Sequence, residues 1–173
     1  MKIQLAGAKI TPQLCLGMLF HIFAPMLETL ENNGVKKQER YDRAYLKMAE
    51  EWGKLSHCSR KQVGAIIVKD SMIISDGYNG TPSGFENCCE DEQGYTKWYV
   101  LHAEANAILK TARSSQSCNG ATLYLTLSPC KECSKLIHQA GITRLVFQTE
   151  YKDESGLSFL KKAGIELKQI EKP

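Results

Sequence analysis

The sequence has no large excess of charge of either sign, no apolar run long enough to span a bilayer comfortably, and no even set of cysteines. Each shortfall excludes something. Lys and Arg number 22 against 19 Asp and Glu, a formal net charge of +3. A groove that tracks a phosphate backbone usually needs a more lopsided balance, so nucleic acid is not an expected partner, whereas a small anionic ligand is compatible. The apolar run Leu14 to Leu27 is shorter than the ~20 residues that cross a hydrocarbon core. Lys2 and Lys9 precede it in the manner of a secretory signal, but Ala24 is followed by Pro25 and no small-x-small cleavage site appears. No membrane partner is expected. Seven cysteines cannot all pair with one another, and their grouping as Cys88-Cys89 and Cys130-x-x-Cys133 suggests thiolates kept reduced, which points to the cytoplasm.

What is present fits one folded domain: 173 residues, 43% hydrophobic, suffice for one real core but not comfortably for two. Residues 1–40 read as an N-terminal extension in which Asn32-Asn33-Gly34 breaks the apolar pattern and Lys36 to Arg40 forms a solvated linker; residues 41–171 read as the domain. Tyr41, Ala44, Tyr45, Met48, Ala49 and Trp52 recur at helical spacing, predicting a helix from Tyr41 to Leu55 with Asp42, Arg43, Lys47 and Glu50 outward. Val63 to Val68 and Met72 to Ile74, split by Lys69-Asp70-Ser71, predict a hairpin. Ser83 to Thr96 reads as an inserted loop. A helix after Trp98 is followed by strand, helix, strand, helix and strand from Ala121 to Ile170, the pattern of two right-handed parallel crossovers. The expected fold is a three-layer α/β/α sandwich around a mixed five-stranded sheet.

Two motifs carry chemistry. Cys130 and Cys133 stand in the first turn of a helix, where free amides and the positive dipole end favour thiolate over thiol. His102 and Glu104 are two residues apart, so both reach one cavity only if a helix starts near His102; the Ala103 amide would then be an unpaired donor facing a substrate carbonyl. His102, Cys130 and Cys133 supply three ligands to a zinc ion, leaving the fourth position to water, and Glu104, beside the metal but not on it, can move protons. A lone His-x-Glu or Cys-x-x-Cys would mean little; together, following Pro129, they match the general zinc-deaminase pattern.

Arg60 with Val63-Gly64-Ala65, Gly77 to Pro82, His102 to Ile108 and Ser128 to Cys133 resemble the deoxycytidylate deaminases of the cytidine and deoxycytidylate deaminase superfamily over about Tyr41 to Ile170. The resemblance implies hydrolysis of dCMP to dUMP and ammonia, one catalytic Zn²⁺, a small-molecule nucleotide partner and a homo-oligomer. It makes His102, Cys130 and Cys133 the zinc ligands, Glu104 the proton shuttle, Asn79 the holder of the sugar hydroxyl, Arg60 the 5′-phosphate ligand and Tyr151 an aromatic closing over the substrate. The Ser128 carbonyl, just before the cysteine pair, is placed to accept from the exocyclic amine. Some relatives carry a second, structural zinc, and His57 and Cys88 fall near its ligand positions, but the pattern is incomplete. No motif for a dCTP or dTTP effector is readable. Two other readings share the motifs: a nucleic-acid deaminase acting on tRNA adenosine or single-stranded DNA, and a catalytically silent zinc-binding module.

Overall fold

The computed structural model describes the backbone of residues 12–172 and the side chains of residues 32–172. The side chains of the apolar run Leu14 to Leu27, His21 included, lie outside them. Two compact units are distinguished, Met1–Arg40 and Tyr41–Pro173.

The helical backbone of α1 (Pro12–Gly53) belongs to the first unit as far as Arg40 and to the second from Tyr41; within the first it passes through Asn32-Asn33-Gly34, where the sequence predicted a break, and through Lys36 to Arg40, where it predicted a linker. The physical reason is local. Lys, Gln, Glu and Arg are all good helix formers, and one interior glycine costs only about 1 kcal/mol. No helix among the described residues is long and apolar enough to cross a membrane.

The second unit carries the sheet. Its strands β1 (Gly64–Lys69), β2 (Met72–Tyr78), β3 (Thr122–Leu127), β4 (Arg144–Thr149) and β5 (Glu166–Gln169) lie in the order β2-β1-β3-β4-β5. β1 is antiparallel to both β2 and β3, whereas β3, β4 and β5 run parallel. Helices α2 (Ala103–Ala112), α3 (Lys131–Gln139) and α4 (Ser155–Lys162) complete the unit. The hairpin turns at Asp70-Ser71, both at positive φ (50° and 62°), the left-handed pair that matches strand twist in a two-residue turn.

Strand alternation sorts the core into two halves. Ala65, Ile67, Leu123, Leu125, Leu145 and Phe147 face α2, α3 and α4, meeting Ala103, Ala107, Ile137 and Leu160. Ile66, Val68, Tyr124 and Val146 face the opposite way, onto Leu46 and Ala49 of α1. The result is the expected mixed five-stranded sheet between helical layers, with both parallel crossovers placing their helices on one face.

The buried stripe of α1 differs from the predicted one. Asp42 is fully buried, while Tyr41 and Met48, predicted inward, are exposed. Asp42 accepts two hydrogen bonds from the Arg144 guanidinium (2.8 and 2.9 Å), one from the Tyr124 hydroxyl (3.0 Å), and lies 3.3 Å from Lys168 Nζ. Arg144 also donates Nε to Glu166 (2.7 Å). A carboxylate with that many donors can be buried; hydropathy periodicity cannot foresee partners some hundred residues away.

The cysteines correct a second expectation. Cys58 and Cys89 form a disulfide rather than staying reduced, tying the chain after α1 to the inserted loop. Cys88 is exposed and its thiol contacts the Glu90 carbonyl (3.3 Å). Closing a loop of 31 residues stabilises the fold by about 3–4 kcal/mol in the chain-entropy account.

Two measurements check these ties. Asp42→Ala leaves the Arg144 charge without its main partner and is expected to lower unfolding stability by about 3–5 kcal/mol in urea titrations; a loss below about 1 kcal/mol would mean the network is not structural. Alkylation under denaturing, non-reducing conditions followed by mass spectrometry is expected to leave two of the seven cysteines, Cys58 and Cys89, unmodified.

Candidate metal centre and substrate cavity

One end of the sheet gathers segments far apart in sequence. Because β1 runs antiparallel to β3, the residues entering β1 (60–63) sit beside those leaving β3 (128–130), and the ends of β2 and β4 arrive at the same edge. This is the carboxyl end of the parallel strands, where open α/β sheets form their clefts. The start of α2 is pressed onto β2 at Gly77, where a Cβ would collide with the Ala103 carbonyl and approach the Ala107 nitrogen to 2.8 Å. Only glycine allows that approach. Ser75 donates to the Ala107 carbonyl (2.7 Å) and Asn106 to the Tyr78 carbonyl (2.7 Å), fixing the helix in rotation as well as position.

His102 and Cys130 are the N-cap residues of α2 and α3, both extended (φ −75°, ψ 158° and φ −71°, ψ 168°). Each turns its side chain over the open end of its helix. His102 Nδ1 stands 3.6 Å from Cys130 Sγ and 3.4 Å from Cys133 Sγ, and all three ligand atoms lie within 4.8 Å of one another. A tetrahedral zinc with bonds of about 2.3 Å to sulfur and about 2.0–2.1 Å to nitrogen needs about 3.5 Å between the nitrogen and each sulfur. The trio fits. Among the described residues no other group of this kind occurs, and His57 and Cys88 do not form a second one. The disulfide takes up the cysteines on either side of the candidate region instead.

Electrostatics at the trio follow from burial and proximity. Cys130 is drawn down to about 3 by the hydrogen bond from Cys133 and then by His102, against its partial burial. Cys133, donating to that thiolate and buried, is pushed well above an ordinary thiol. His102 is raised, chiefly by its hydrogen bond with Cys130. Glu104 lies beside them, 4% exposed, and its burial pushes the carboxyl up to about 7 despite the bond from its own amide and the nearby His102. A carboxyl that titrates near neutrality can take a proton and return it.

These groups form the floor of a cavity of about 290 Å³. Of the site residues suggested by the sequence, Arg60, Asn79, Ala103, Ser128, Tyr151, His102, Glu104 and Cys130 line it; Cys133 does not, but is buried with its Sγ 3.4 Å from His102 Nδ1. Ala103 is the first residue of α2, so its amide has no carbonyl to bond within the helix. Ser128 does more than its carbonyl suggested. Its hydroxyl accepts the Tyr151 amide (2.8 Å), holding the loop after β4 against the cavity. The Asn79 side chain binds the chain entering β1, accepting from the Val63 amide (2.8 Å) and donating to the Lys61 carbonyl (2.8 Å). Lys61, Glu90, Thr96 and Lys152 also line the cavity and were not singled out from sequence. Lys152 adjoins Tyr151 and could have been found from it; Glu90 and Thr96 lie in the insertion, which carries no motif.

Residues 38–149 match the cytidine and deoxycytidylate deaminase zinc-binding region. The chain belongs to this family. The family's metal is zinc, in keeping with the donor set at the cavity floor. Among its relatives, the deoxycytidylate deaminase of Enterobacteria phage T4 is 38% identical over 160 residues, covering 68% of this chain and 83% of that protein. The deoxycytidylate deaminase of Saccharomyces cerevisiae is 37% identical over 140 residues, covering 75% of this chain but only 45% of that longer protein. The crystal structure of dCMP deaminase from the cyanophage S-TIM5, in complex with dCMP and dUMP, is 46% identical, with a TM-score of 0.74 over 76% of this chain and 97% of that one.

Replacing His102 or Cys133 with alanine is expected to lower bound zinc from about one ion per chain to near none by elemental analysis after dialysis, whereas Glu104→Gln should keep it. Retention of the metal by both ligand variants would rule out this trio as the binding site.

Proposed function

We propose that the chain hydrolyses dCMP to dUMP and ammonia, with His102, Cys130 and Cys133 as zinc ligands. The observation that carries the reading is the pairing, in one cavity, of a buried carboxyl beside a zinc-type donor set with a mouth lined by Arg60, Lys61 and Lys152. The floor suits hydrolysis of an amine; the mouth suits the phosphate of a mononucleotide. The names of the phage and yeast relatives, and the nucleotides in the cyanophage structure, support the same substrate.

Bound zinc supplies a water whose pKa falls from about 15.7 to roughly 7. The protein's own residues do the rest. With that metal held, Glu104 would take the proton of the attacking water as a bond forms to C4 of the cytosine, and would deliver it to N3. It then carries the remaining proton to the exocyclic nitrogen, which departs as ammonia. The Ala103 amide donates to the base carbonyl and the Ser128 carbonyl accepts from the exocyclic amine, so an amino group is favoured over an oxo group. Tyr151 closes over the ring, Asn79 takes the sugar hydroxyl, and Arg60 binds the phosphate through two parallel hydrogen bonds. The folded unit for this work is 41–171, with residues 1–40 an extension outside the chemistry. The cytoplasm is the expected location because a free mononucleotide substrate is found there; Cys130 and Cys133 stay reduced to hold the metal while Cys58 and Cys89 pair. Exposed Leu109, Leu136 and Phe159 on the outer helices support assembly into a homo-oligomer.

Ammonia release from dCMP, deoxycytidine, CMP and a tRNA anticodon hairpin, with and without chelator, tests the reading. Turnover of dCMP far above deoxycytidine and lost on chelation is expected; activity on the hairpin alone would replace it with a nucleic-acid substrate. Glu104→Gln should cut kcat by about 10²–10⁴-fold with zinc retained, and full activity in that variant would refute the proton-transfer role.

A further inference from the structure

The insertion between β2 and α2 is tied to one side of the cavity at several points, and the ties fall on the consecutive residues Cys58, Ser59 and Arg60. The Glu90 carboxylate accepts the Ser59 amide through Oε2 and the Arg60 amide through Oε1, each at 3.3 Å. The Arg60 guanidinium donates Nη1 to the Thr96 hydroxyl (3.1 Å). Glu90 and Thr96 are themselves paired across an antiparallel bridge, extended by the Lys97 amide on the Cys89 carbonyl (2.8 Å). Beside them the Cys58–Cys89 disulfide fastens the insertion to the residue preceding Ser59. From the other side, Asn79 holds Lys61 and Val63. One arginine therefore has its backbone fixed by one residue of the insertion and its side chain by another.

This arrangement solves a particular problem. An exposed arginine has several rotatable bonds, and freezing them when an anion binds costs free energy that a pre-fixed side chain avoids. The Thr96 contact uses one of five guanidinium N–H donors and leaves the others for a ligand. Glu90 spends both carboxylate oxygens on amides and feels the Arg60 charge, but among the described residues Arg60 is in no direct ion pair, so its guanidinium edge stays open to a phosphate. Lys61 and Lys152 also line the mouth, but an ammonium attracts as a point charge without fixing geometry.

We propose that Glu90 and Thr96 are positioning residues that set the preference for the phosphorylated nucleotide by holding Arg60 in place. The inference rests on the dCMP reading above. A carboxylate at a phosphate site could instead act by repulsion, in which case removing Glu90 would strengthen dCMP binding; the two roles predict opposite signs.

The test compares kcat/KM for dCMP and deoxycytidine in the zinc-loaded full chain, for Glu90→Ala, Thr96→Val, Thr96→Ser and Arg60→Ala, each singly and with the Glu90 change in the Arg60→Ala background. Glu90→Ala and Thr96→Val are expected to lower the dCMP:deoxycytidine ratio about tenfold, mainly through KM for dCMP. Thr96→Ser should restore the ratio, and Glu90→Ala should change it no further once Arg60 is gone. General loosening of the insertion would lower both substrates together and leave the ratio alone, which would overturn the proposal, as would a rise in the ratio for Glu90→Ala. The intact disulfide and zinc content report whether each variant has folded. If the unaltered chain shows no preference for dCMP, the substrate reading itself fails, a result distinct from variants that keep a preference the parent has.

Discussion

Two helix starts aimed at one point are the constraint on which everything else in the site depends. A histidine and a cysteine at N-cap positions turn away from their own helices because the backbone there is extended. Bringing those caps within ligand distance requires α2 and α3 to rise from neighbouring places on the same face of the sheet, and the parallel crossover from β3 to β4 supplies that for α3. The positive end of α3 then favours the Cys130 thiolate, and the first free amide of α2 faces the same space. Metal site, proton carrier and base recognition come from one placement.

That placement was legible in the sequence because its determinants are local. The two-residue gap between His102 and Glu104 demands a helix start, the three-residue gap between the cysteines demands a helix first turn, and both are where the spacing put them. The hairpin and both crossovers were readable for the same reason. What escaped depends on partners distant in the chain. Asp42 looks like a solvated charge until Arg144, Tyr124 and Lys168 surround it. Cys88-Cys89 looks like a pair of reduced thiols until the hairpin between Cys58 and Cys89 folds and brings those two together. The predicted break at Asn32 to Gly34 failed for a different reason: turn-forming residues weaken a helix by amounts that strong helix formers around them can absorb.

The cavity divides its labour along its depth. One part carries Glu104, whose burial moves its carboxyl toward neutrality, while another is lined by Arg60, Lys61 and Lys152. An interior acid needs desolvation and an anion receptor needs charge, and the two demands conflict unless they are separated in space. Here the sheet separates them: strand ends and helix caps make the floor, and the segment before β1 with the insertion makes the mouth. Ser128 and Asn79 bridge the zones, each holding one loop against the cavity wall.

The hairpin turn at Asp70-Ser71 sits at the other end of β1 from this cavity, six strand residues away, or roughly 20 Å at the usual rise. Outside the hairpin it is held by the Tyr45 hydroxyl, which donates to the Ser71 carbonyl (3.2 Å), and it asks nothing of the catalytic end. A dye or affinity handle spliced between those two residues would therefore report on the protein from well outside its chemistry.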